Sequence, residues 1–379
     1  MNFEFTEEQI MIRDAARDFA QRELIHDVIE RDTHATYPTE HIKKLAELGF
    51  MGMLVDPKYD GGGMDTVSYV LAMEEISKID SSVSVIMSVN NSLVCYGIEA
   101  FGTEEQKEKY LKPLARGEKI GAFLLSEPEA GSDATSQHTK AEDKDDHYLL
   151  NGTKNWITNG NTASTYLVIA QTHPEKKHKG INCLLVDRHS PGISVGPHED
   201  KMGMRSSDTH SVMFNDVVVP KENRIGDDGF GFTFAMKTLE GGRIGIAAQA
   251  LGIASGAYER ALKYSKERKT FGTEIANHQA VAFKLANMAV KIENARNLCL
   301  KAAWLKDQQL PYGFASAMAK YYAAEIAMEV TTEAVQIHGG YGYVKEYHVE
   351  RLMRDAKLTQ IYEGTSEIQQ IIISREILK

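Results

Sequence analysis

The feature of this sequence that most constrains its fold is a hydrophobic pattern that changes twice along the chain. Residues 1–118 and 229–379 carry apolar side chains at helical spacing, as in "TEEQIMIRDAARDFAQREL", where Thr6 and Gln9 also match a capping box. Residues 119–228 instead contain short β-branched or apolar runs, such as "STYLVIA" and "GINCLLVD", separated by Gly, Asn, Asp and Pro. The pattern predicts an α+β fold with a helical domain at 1–118, a β domain at 119–228 and a second helical domain at 229–379.

The composition is that of a globular protein, with 379 residues, 42% hydrophobic side chains and 25% charged side chains. A formal net charge of -10 argues against general affinity for nucleic acid or for an anionic membrane surface, but it leaves room for a small anionic ligand in a local basic pocket. The three cysteines are widely separated and form no C-x-x-C pair. They indicate neither a disulfide framework nor a zinc site, so we expect no metal and a reducing compartment.

The sequence also shows no targeting or membrane signal. Its opening, "MNFEFTEEQ", has no basic and apolar leader, and no uninterrupted apolar run reaches the roughly 20 residues that span a bilayer. We therefore expect a protein without membrane insertion. The cytoplasm of a bacterium fits, as does the mitochondrial matrix for a processed eukaryotic chain.

Several catalytic signatures are missing or incomplete. The chain has no Walker A loop, no H-E-x-x-H and no G-x-G-x-x-G between a strand and a helix, which disfavours the usual nucleotide-triphosphate and nicotinamide chemistry. "GISVG", at 192–196, matches the serine-hydrolase elbow, but Pro191 and Pro197 flank it in a strand-rich region. We interpret Ser194 as part of a short strand between turns and not as a nucleophile.

Near the end of the chain, "IYEGTSEIQQ" places one carboxylate, Glu363, before a Gly-Thr-Ser turn and an apolar helix. Ser366 and Gln369 match a capping box, so we expect the helix to begin near Ser366 and Glu363 to lie on the approach to its positive end. Taken alone, Glu363 is then a surface acid near a helix dipole. The alternative, a catalytic base in a pocket wall, needs support from the rest of the chain.

Three further clusters allow both a structural and a ligand-binding interpretation. "FLLSEPEAGSDAT", at 123–135, is either a solvated loop or a set of amides and hydroxyls that hold a heterocycle edge or a phosphate. "NWITNG", at 155–160, offers Trp156 as a flat wall and Thr158 as a donor, although a tryptophan that closes the β-domain core is the simpler interpretation. "RKTFG", at 268–272, places Arg268 where it satisfies a helix end or, alternatively, binds a pyrophosphate.

In this order, and over essentially the whole chain, these stretches resemble the acyl-CoA dehydrogenase family. "SEPEAGSD", "WITNG", "RKTFG", "QIHGGYGY" and "YEGTSEIQ" are each weak signals, but their joint occurrence is highly specific. Within the family the chain is most similar to short-chain, or butyryl-CoA, dehydrogenases, through "IMSVNNSL" at 86–93 and "TLEGGRIGIAAQALGIA" at 238–254.

The resemblance implies an FAD flavoenzyme with a helical N-terminal domain, a β-barrel-like middle domain and a four-helix-bundle C-terminal domain, assembled as a homotetramer. The residues that it assigns to the flavin ring are Phe123, Leu125, Ser126, Gly131, Ser132, Trp156, Ile157, Thr158, Thr365 and Glu367. The residues that it assigns to the pyrophosphate and adenine of FAD, including FAD of a neighbouring subunit, are Arg268, Phe271, Gln279, Gln336, Gly339 and Gly340. Those that it assigns to the acyl-CoA are Ser132, Glu240, Arg243, Gly364 and Arg375.

By the same resemblance, Glu363 matches the family's catalytic base. Some relatives carry the base at the position of Gly242, which has no carboxylate here. Glu363 would take an α-proton from a thioester whose oxygen lies between the backbone N–H of Glu363 and a ribityl hydroxyl. The β-hydrogen would leave as hydride to flavin N5, and the product would be a trans-2-enoyl-CoA.

The resemblance leaves the acceptor and the substrate less defined. Electrons are expected to pass to electron-transfer flavoprotein, because related oxidases usually have longer chains. A preference for medium or branched acyl-CoA stays open, since the side chains that set pocket depth cannot be placed from sequence. A flavin-binding protein without catalysis is the remaining alternative, and the presence of Glu363 counts against it.

Overall fold

A computed structural model describes residues 4–379, and Met1–Phe3, the start of the acidic N-terminal stretch, lie outside the described residues. The first part of the chain is helical. Its α-helices are α1 Glu7–Arg22, α2 Val28–His34, α3 Thr39–Glu47, α4 Thr66–Ser77, α5 Ser81–Ser88, α6 Tyr96–Phe101, α7 Glu104–Gln106 and α8 Lys112–Ala115. π-helical segments at Val89–Cys95 and Lys107–Leu111 join α5 to α6 and α7 to α8. The predicted capping box of α1 is confirmed, because Thr6 Oγ1 accepts from Gln9 N at 3.2 Å and Gln9 Oε1 accepts from Thr6 N at 3.0 Å.

The middle of the chain forms one eight-stranded sheet. Its strands are β1 Gly121–Leu124, β2 Lys140–Asp143, β3 His147–Thr158, β4 Thr165–Gln171, β5 Ile181–Asp187, β6 Ile193–Val195, β7 Thr209–Pro220 and β8 Arg224–Ile225. The order across the sheet is β6-β7-β3-β2-β4-β5-β8, and β1 pairs in parallel with β4. β6 carries the exposed Ser194, and the next element is strand β7, so the interpretation of "GISVG" as a short strand is confirmed.

The last part of the chain is helical again. Its elements are α9 Gly231–Glu267, the hairpin strands β9 Lys269–Thr270 and β10 Thr273–Glu274, α10 Gln279–Asp307, α11 Gly313–His338, α12 Val349–Thr359 and α13 Ser366–Ile377. α9, α10 and α11 pack against one another, and α12 and α13 pack against α11. α11 ends at His338, and Gly339 follows with a positive φ of 61°, as the sequence predicts for this helix end.

The two helical regions share one apolar core, and the sheet lies against it. Strand β4 shows how: Leu167 and Ile169 belong to the helical core, whereas the alternate residues Tyr166 and Val168 belong to a second core inside the sheet. The long helix α9 approaches α4 so closely that a Cβ at Gly252 would overlap the Glu74 carbonyl. The predicted fold class of helical, β and helical regions is therefore confirmed.

The helices of the structure pack against one another around the apolar core. Within residues 4–379, no helix combines the length and the apolar character needed to cross a membrane.

Candidate active site

Glu363 lies in the turn that joins α12 to α13. Two backbone hydrogen bonds close the turn, from Tyr362 N to Leu358 O at 3.1 Å and from Ser366 N to Gln360 O at 2.9 Å. Inside the turn, Glu363 has a positive φ of 50°. This left-handed conformation is uncommon for a residue with a side chain, so the surrounding structure must hold Glu363 in place.

The carboxylate of Glu363 is enclosed by protein. Oε1 and Oε2 are both buried, and neither has a hydrogen-bond partner among residues 4–379. Oε2 lies against α9, where a Cβ at Gly242 would overlap it and would also lie 2.7 Å from Leu93 Cδ2. The interpretation of Glu363 as a surface acid is therefore wrong. Gly242, where some relatives carry their base, is a spatial neighbour of this carboxylate.

Two buried cations face the carboxylate from different helices, Lys320 of α11 and Arg243 of α9. Burial raises the pKa of the Glu363 carboxyl to about 7, and the charges of Lys320 and Arg243 oppose that rise. Burial also lowers the pKa of the Lys320 ammonium to about 8 and the pKa of the Arg243 guanidinium below its ordinary value. The carboxylate therefore titrates near neutrality, which suits a general base.

α13 begins at Ser366, as the sequence predicts, but its cap differs from the prediction. The N-cap is Thr365, whose Oγ1 accepts from Ile368 N at 3.3 Å. Ser366 Oγ instead donates to Glu325 Oε1 at 2.6 Å, and the Gln369 side chain donates to a carbonyl of the preceding turn. The capping box predicted for Ser366 and Gln369 is wrong, because the tight turn gives Thr365 the extended backbone that an N-cap needs.

The loop after β1 is anchored by a buried ion pair. Lys154 Nζ, on β3, donates to Glu127 Oε1 at 2.7 Å and to the Leu125 carbonyl at 3.0 Å. Gly131 and Ser132 at the far end of the loop stay exposed, and nothing lies within 4 Å of a Cβ placed at Gly131. The loop is therefore held against the sheet at its base and open at its tip, so that it is not simply a freely solvated segment.

Trp156 stands out from the sheet at an irregularity of β3. The pairing of β3 with β7 shifts between Lys154 and Ile157, and Trp156 has a positive φ of 59°. Because its side chain is 61% exposed, the interpretation of Trp156 as the residue that closes the β-domain core is wrong. Ile157 fills that core instead, and Thr158 is half-buried beside it. The exposed indole is available to a planar ligand.

A second exposed aromatic ring lies in the hairpin between β9 and β10. Phe271 occupies the two-residue turn with a φ of 51°, and its side chain is wholly exposed. Arg268, directly after α9, places its guanidinium carbon 5.6 Å from the ring centre of Tyr341. A cavity of about 570 Å³ is lined in part by Arg268, Gly339 and Gly340. No atom lies within 4 Å of a Cβ placed at either glycine, so the backbone there is open to a ligand.

The structure brings the other predicted site residues together only in part. Glu240 is half-buried one turn before Arg243 on α9, and its charge acts on that guanidinium. The predicted residues that are half-buried are Phe123, Leu125, Ser126, Thr158, Gly364 and Thr365. Those with exposed side chains are Ser132, Gln279, Gln336, Glu367 and Arg375. Within residues 4–379, no hydrogen bond, ion pair or ring contact joins the residues around Trp156 to those around Arg268.

Sequence reasoning missed Lys320 and a second cavity. In "ASAMAKYYAAEIA", Lys320 lies on the alanine face of α11, and a charge on an apolar helical face is the signal that could have identified it. The second cavity, of about 480 Å³, has hydroxyl and basic side chains in its lining, among them Ser136, Lys140 and Lys177. These come from separate segments, so no local spacing predicts them. In the described part of the chain, no cluster of three or more His, Cys, Asp or Glu residues could hold a metal ion.

Known protein families match the chain along its length. The N-terminal domain of acyl-CoA dehydrogenase matches residues 6–118, the middle domain matches residues 122–217 and the C-terminal domain matches residues 229–378. A protein named acyl-CoA dehydrogenase, short-chain specific, from Clostridium acetobutylicum is 50% identical over 100% of both chains.

Solved structures are similar over the same length. Butyryl-CoA dehydrogenase from Megasphaera elsdenii superposes with a TM-score of 0.98 at 48% identity and covers 100% of both chains. A chain in a structure described as the electron transferring flavoprotein of Acidaminococcus fermentans superposes with a TM-score of 0.99 at 51% identity, again over 100% of both chains. With these matches and this fold, the chain belongs to the acyl-CoA dehydrogenase family, whose enzymes are oxidoreductases that act on a CH–CH bond.

Proposed function

We propose that this chain dehydrogenates a short-chain acyl-CoA to the trans-2-enoyl-CoA, with FAD as cofactor and Glu363 as the base that removes the α-proton. The observation that carries the proposal is the Glu363 carboxylate, which is buried against α9 with both oxygens free of hydrogen bonds. A carboxylate that serves only structure would normally be paired or solvated, whereas a base must keep a lone pair free for the proton it takes.

Desolvation makes Glu363 a strong enough base for a weakly acidic proton. The α-hydrogens of a thioester are poor acids, so a carboxyl with the ordinary pKa of 4.5 would be a weak base for them. In this environment the pKa of Glu363 is raised to about 7 by burial. A bound acyl chain would exclude more water and raise the pKa of Glu363 further.

The same turn offers a donor for the thioester oxygen. The backbone N–H of Glu363 donates to no acceptor within residues 4–379. As the α-proton leaves, negative charge develops on the thioester oxygen, and an N–H held in advance at that position stabilises it. Glu363 would therefore supply both the base and one hydrogen-bond donor, which explains the need for its unusual backbone conformation.

The exposed rings and open backbone segments fit FAD, which has a planar heterocycle and an anionic pyrophosphate. Trp156 and the half-buried Thr158 would lie along the ring, and the loop from Phe123 to Ser132 would hold its edge. Arg268, with the open backbone at Gly339 and Gly340, would hold the pyrophosphate end. When bound, FAD supplies the acceptor for the hydride that leaves the β-carbon.

The packing behind Glu363 supports a preference for substrates with a short acyl chain. One turn beyond Gly242 on α9, a Cβ at Gly245 would lie 2.7 Å from Ser88 Oγ and 2.8 Å from Tyr69 Oη, so this part of α9 has no room beside it. Relatives that are 50% and 48% identical to this chain are named acyl-CoA dehydrogenase, short-chain specific, and butyryl-CoA dehydrogenase. The residues proposed to hold the rest of the acyl-CoA are Ser132, Glu240, Arg243, Gly364 and Arg375, and Lys140 and Lys177 of the second cavity offer positive charge to its phosphates.

Exposed surface supports two kinds of protein partner. Phe271 and Tyr343 are 100% and 86% exposed, which is costly for aromatic rings unless another chain or a ligand covers them. We propose a homotetramer in which a neighbouring subunit covers part of this surface. Electron-transfer flavoprotein is proposed as the acceptor, in line with the similarity to a chain in an electron transferring flavoprotein structure.

The proposal is tested by an anaerobic titration of the purified protein with butyryl-, octanoyl- and isovaleryl-CoA while the visible flavin spectrum is recorded. We expect bleaching of the flavin band to be strongest with butyryl-CoA. Stronger bleaching with octanoyl- or isovaleryl-CoA would replace the short-chain assignment by a medium-chain or branched-chain one, and no bleaching by any of them would refute the reaction.

The role of Glu363 is tested by Glu363→Gln, which keeps the shape of the side chain and removes the base. We expect unchanged flavin content and a turnover lower by roughly 10³-fold, within the range that a general base contributes. Glu376→Gln is the matched control, since Glu376 is exposed near the end of α13 and its one ion-pair partner within residues 4–379 is Lys379. Near-normal turnover in Glu363→Gln would refute the assignment of the base.

A further inference from the structure

Lys320 is a fully buried lysine to which none of the roles above is assigned. It lies on α11 with 0% of its surface exposed, among alanines such as Ala323 and Ala324. Its Nζ donates to the Gly364 carbonyl at 2.7 Å. Burying an ammonium group in apolar surroundings costs several kcal/mol unless the group is bonded or paired. Its position therefore needs a structural or functional reason.

The bond from Lys320 ends on the turn that carries Glu363. The Gly364 carbonyl accepts from Lys320 Nζ and also from Gln369 Nε2, at 2.9 Å. These two donors approach from α11 and from α13, and together they fix the peptide group between Gly364 and Thr365, one residue beyond Glu363. Because the Glu363 carboxylate itself has no hydrogen-bond partner, the backbone of the turn is where its direction is set.

Lys320 is also the cation with the stronger influence on the Glu363 carboxylate. The charged and titratable groups that face Glu363 are Lys320 from α11, Arg243 from α9, Tyr69 from α4 and the adjacent Tyr362. Those that face Lys320 are Glu363, Arg243, Glu325 and Glu367. Arg243 is shared with Glu240, whose charge acts on it more strongly than that of Glu363 does. Removal of Lys320 would therefore leave Glu363 with the cation that has the weaker influence on it and that is also shared with Glu240.

We propose that Lys320 is a positioning residue for Glu363: through the Gly364 carbonyl it holds the turn that aims the carboxylate, and its charge favours the ionised form. The inference rests on the proposed role of Glu363 as the base. Lys320 does not touch the reacting atoms in this scheme and acts only through Glu363. The two parts of the role are separable, because the hydrogen bond needs a donor while the electrostatic effect needs a charge.

The test is the pH profile of kcat/KM for Lys320→Met in the flavin-loaded enzyme. Loss of the charge disfavours the ionised carboxylate, so the acid limb of the profile should move to higher pH by about one unit, and kcat/KM at pH 7 should fall about fivefold. Part of that loss should be recovered at higher pH. Lys301→Met, on the exposed face of α10, removes a lysine of the same size and should leave the profile unchanged.

Two further variants separate the charge from the bond. Lys320→Gln keeps a donor for the Gly364 carbonyl and loses the charge, so the acid limb should move while the plateau of kcat stays near wild type. Gln369→Leu removes the neutral donor to the same carbonyl, so kcat should fall while the limb stays in place. If Lys320→Met does not accumulate as folded protein, Lys320→Gln carries the test of the charge.

A measurement that needs no turnover separates the effect of Lys320 on Glu363 from the proposed role of Glu363 as the base. The infrared band of the protonated Glu363 carboxyl, identified by its loss in Glu363→Gln, gives the pKa of Glu363 directly in substrate-free protein. We expect that pKa to be higher in Lys320→Gln than in wild type. An unchanged pKa together with an unchanged acid limb would overturn the inference, whereas an active Glu363→Gln would refute the base and leave the measured coupling standing.

Discussion

The turn at Glu363 and the hairpin at Phe271 each contain a residue with a positive φ, but the two residues have opposite surroundings. Both residues have a positive φ, 50° for Glu363 and 51° for Phe271. The Glu363 carboxylate is enclosed by α9 and α11 of the same chain, whereas the Phe271 ring is wholly exposed. Backbone strain therefore marks both places as special, but only the surroundings tell which one is complete within a single chain.

This difference leads to different consequences of substitution. A change around Glu363 should alter the position or the protonation of a group that the fold already holds in place. A change around Phe271 or Arg268 should instead weaken the retention of something that the chain does not contain. Variants on each side test that division.

The largest effect is expected from Gly242→Ala, which breaks the enclosure of Glu363 without touching its chemistry. The added Cβ would overlap Oε2 of Glu363 and crowd Leu93, so the carboxylate has to move. A displacement of about 1 Å at a catalytic group can cost roughly 10²-fold in rate, and we expect a loss of kcat of that size with normal flavin content. Gly241→Ala is the control, because a Cβ there lies 3.5 Å or more from its neighbours. Full activity in Gly242→Ala would show that the carboxylate is not confined as described.

The second variant, Arg268→Met, tests the exposed surface around Phe271 and Arg268. The guanidinium lies beside the cavity at Gly339 and Gly340, and a charged hydrogen bond there is worth about 1.5–3 kcal/mol. We expect FAD affinity to fall by roughly 10- to 100-fold, with kcat of the reloaded enzyme little changed. Equilibrium dialysis against FAD measures the affinity, and Lys266→Met, at an exposed position near the end of α9, is the control. A loss of kcat at unchanged FAD affinity would instead show that Arg268 acts in the chemical step and not in the retention of FAD.

The third prediction concerns how the free energy of unfolding depends on pH, which reports whether Glu363 is desolvated. Its pKa in the folded protein, about 7, lies above the ordinary value of 4.5. The corresponding stability is present below pH 4.5 and is lost as the pH rises through 7, because ionisation is then disfavoured in the folded state. Glutamine cannot ionise, so flavin-free Glu363→Gln should be more stable than wild type at pH 8 by about 3 kcal/mol and equally stable at pH 4.

Urea unfolding at the two pH values measures this difference. Glu376→Gln, an exposed acid on the same helix, should show no comparable gain at pH 8. Equal stability of wild type and Glu363→Gln at pH 8 would mean that the carboxylate is solvated in the flavin-free protein. Burial of the Glu363 carboxylate would then depend on a bound ligand.

The smallest effect is expected at the cap of α13. Thr365→Ala removes the bond between Thr365 Oγ1 and Ile368 N, which should lower the free energy of unfolding by about 1 kcal/mol. Thr365→Ser keeps the hydroxyl and should retain most of that stability. If Ser366→Ala frayed the helix and Thr365→Ala did not, the helix would begin one residue later than the structure shows.

Local patterns predicted much of the fold and part of the site. The capping box at Thr6 and the end of α11 at Gly339 are confirmed, because both depend on residues a few positions apart. The resemblance of separated stretches identified the family, which the comparisons confirm. The capping box at Ser366 failed for a reason that is not local to the helix: the preceding turn moves the cap to Thr365.

The helical, β and helical order and the presence of Glu363 in a turn before a helix can be predicted from short stretches of sequence, because periodicity and turn residues act over short distances. Only the tertiary structure decided that the carboxylate is buried, since Gly242 and Lys320, distant in sequence, come from α9 and α11 to enclose it. It also decided that Trp156 faces outward at a bulge while its neighbour Ile157 enters the core. Burial and the electric field at a site are sums over residues from many segments, and no short stretch of sequence contains them.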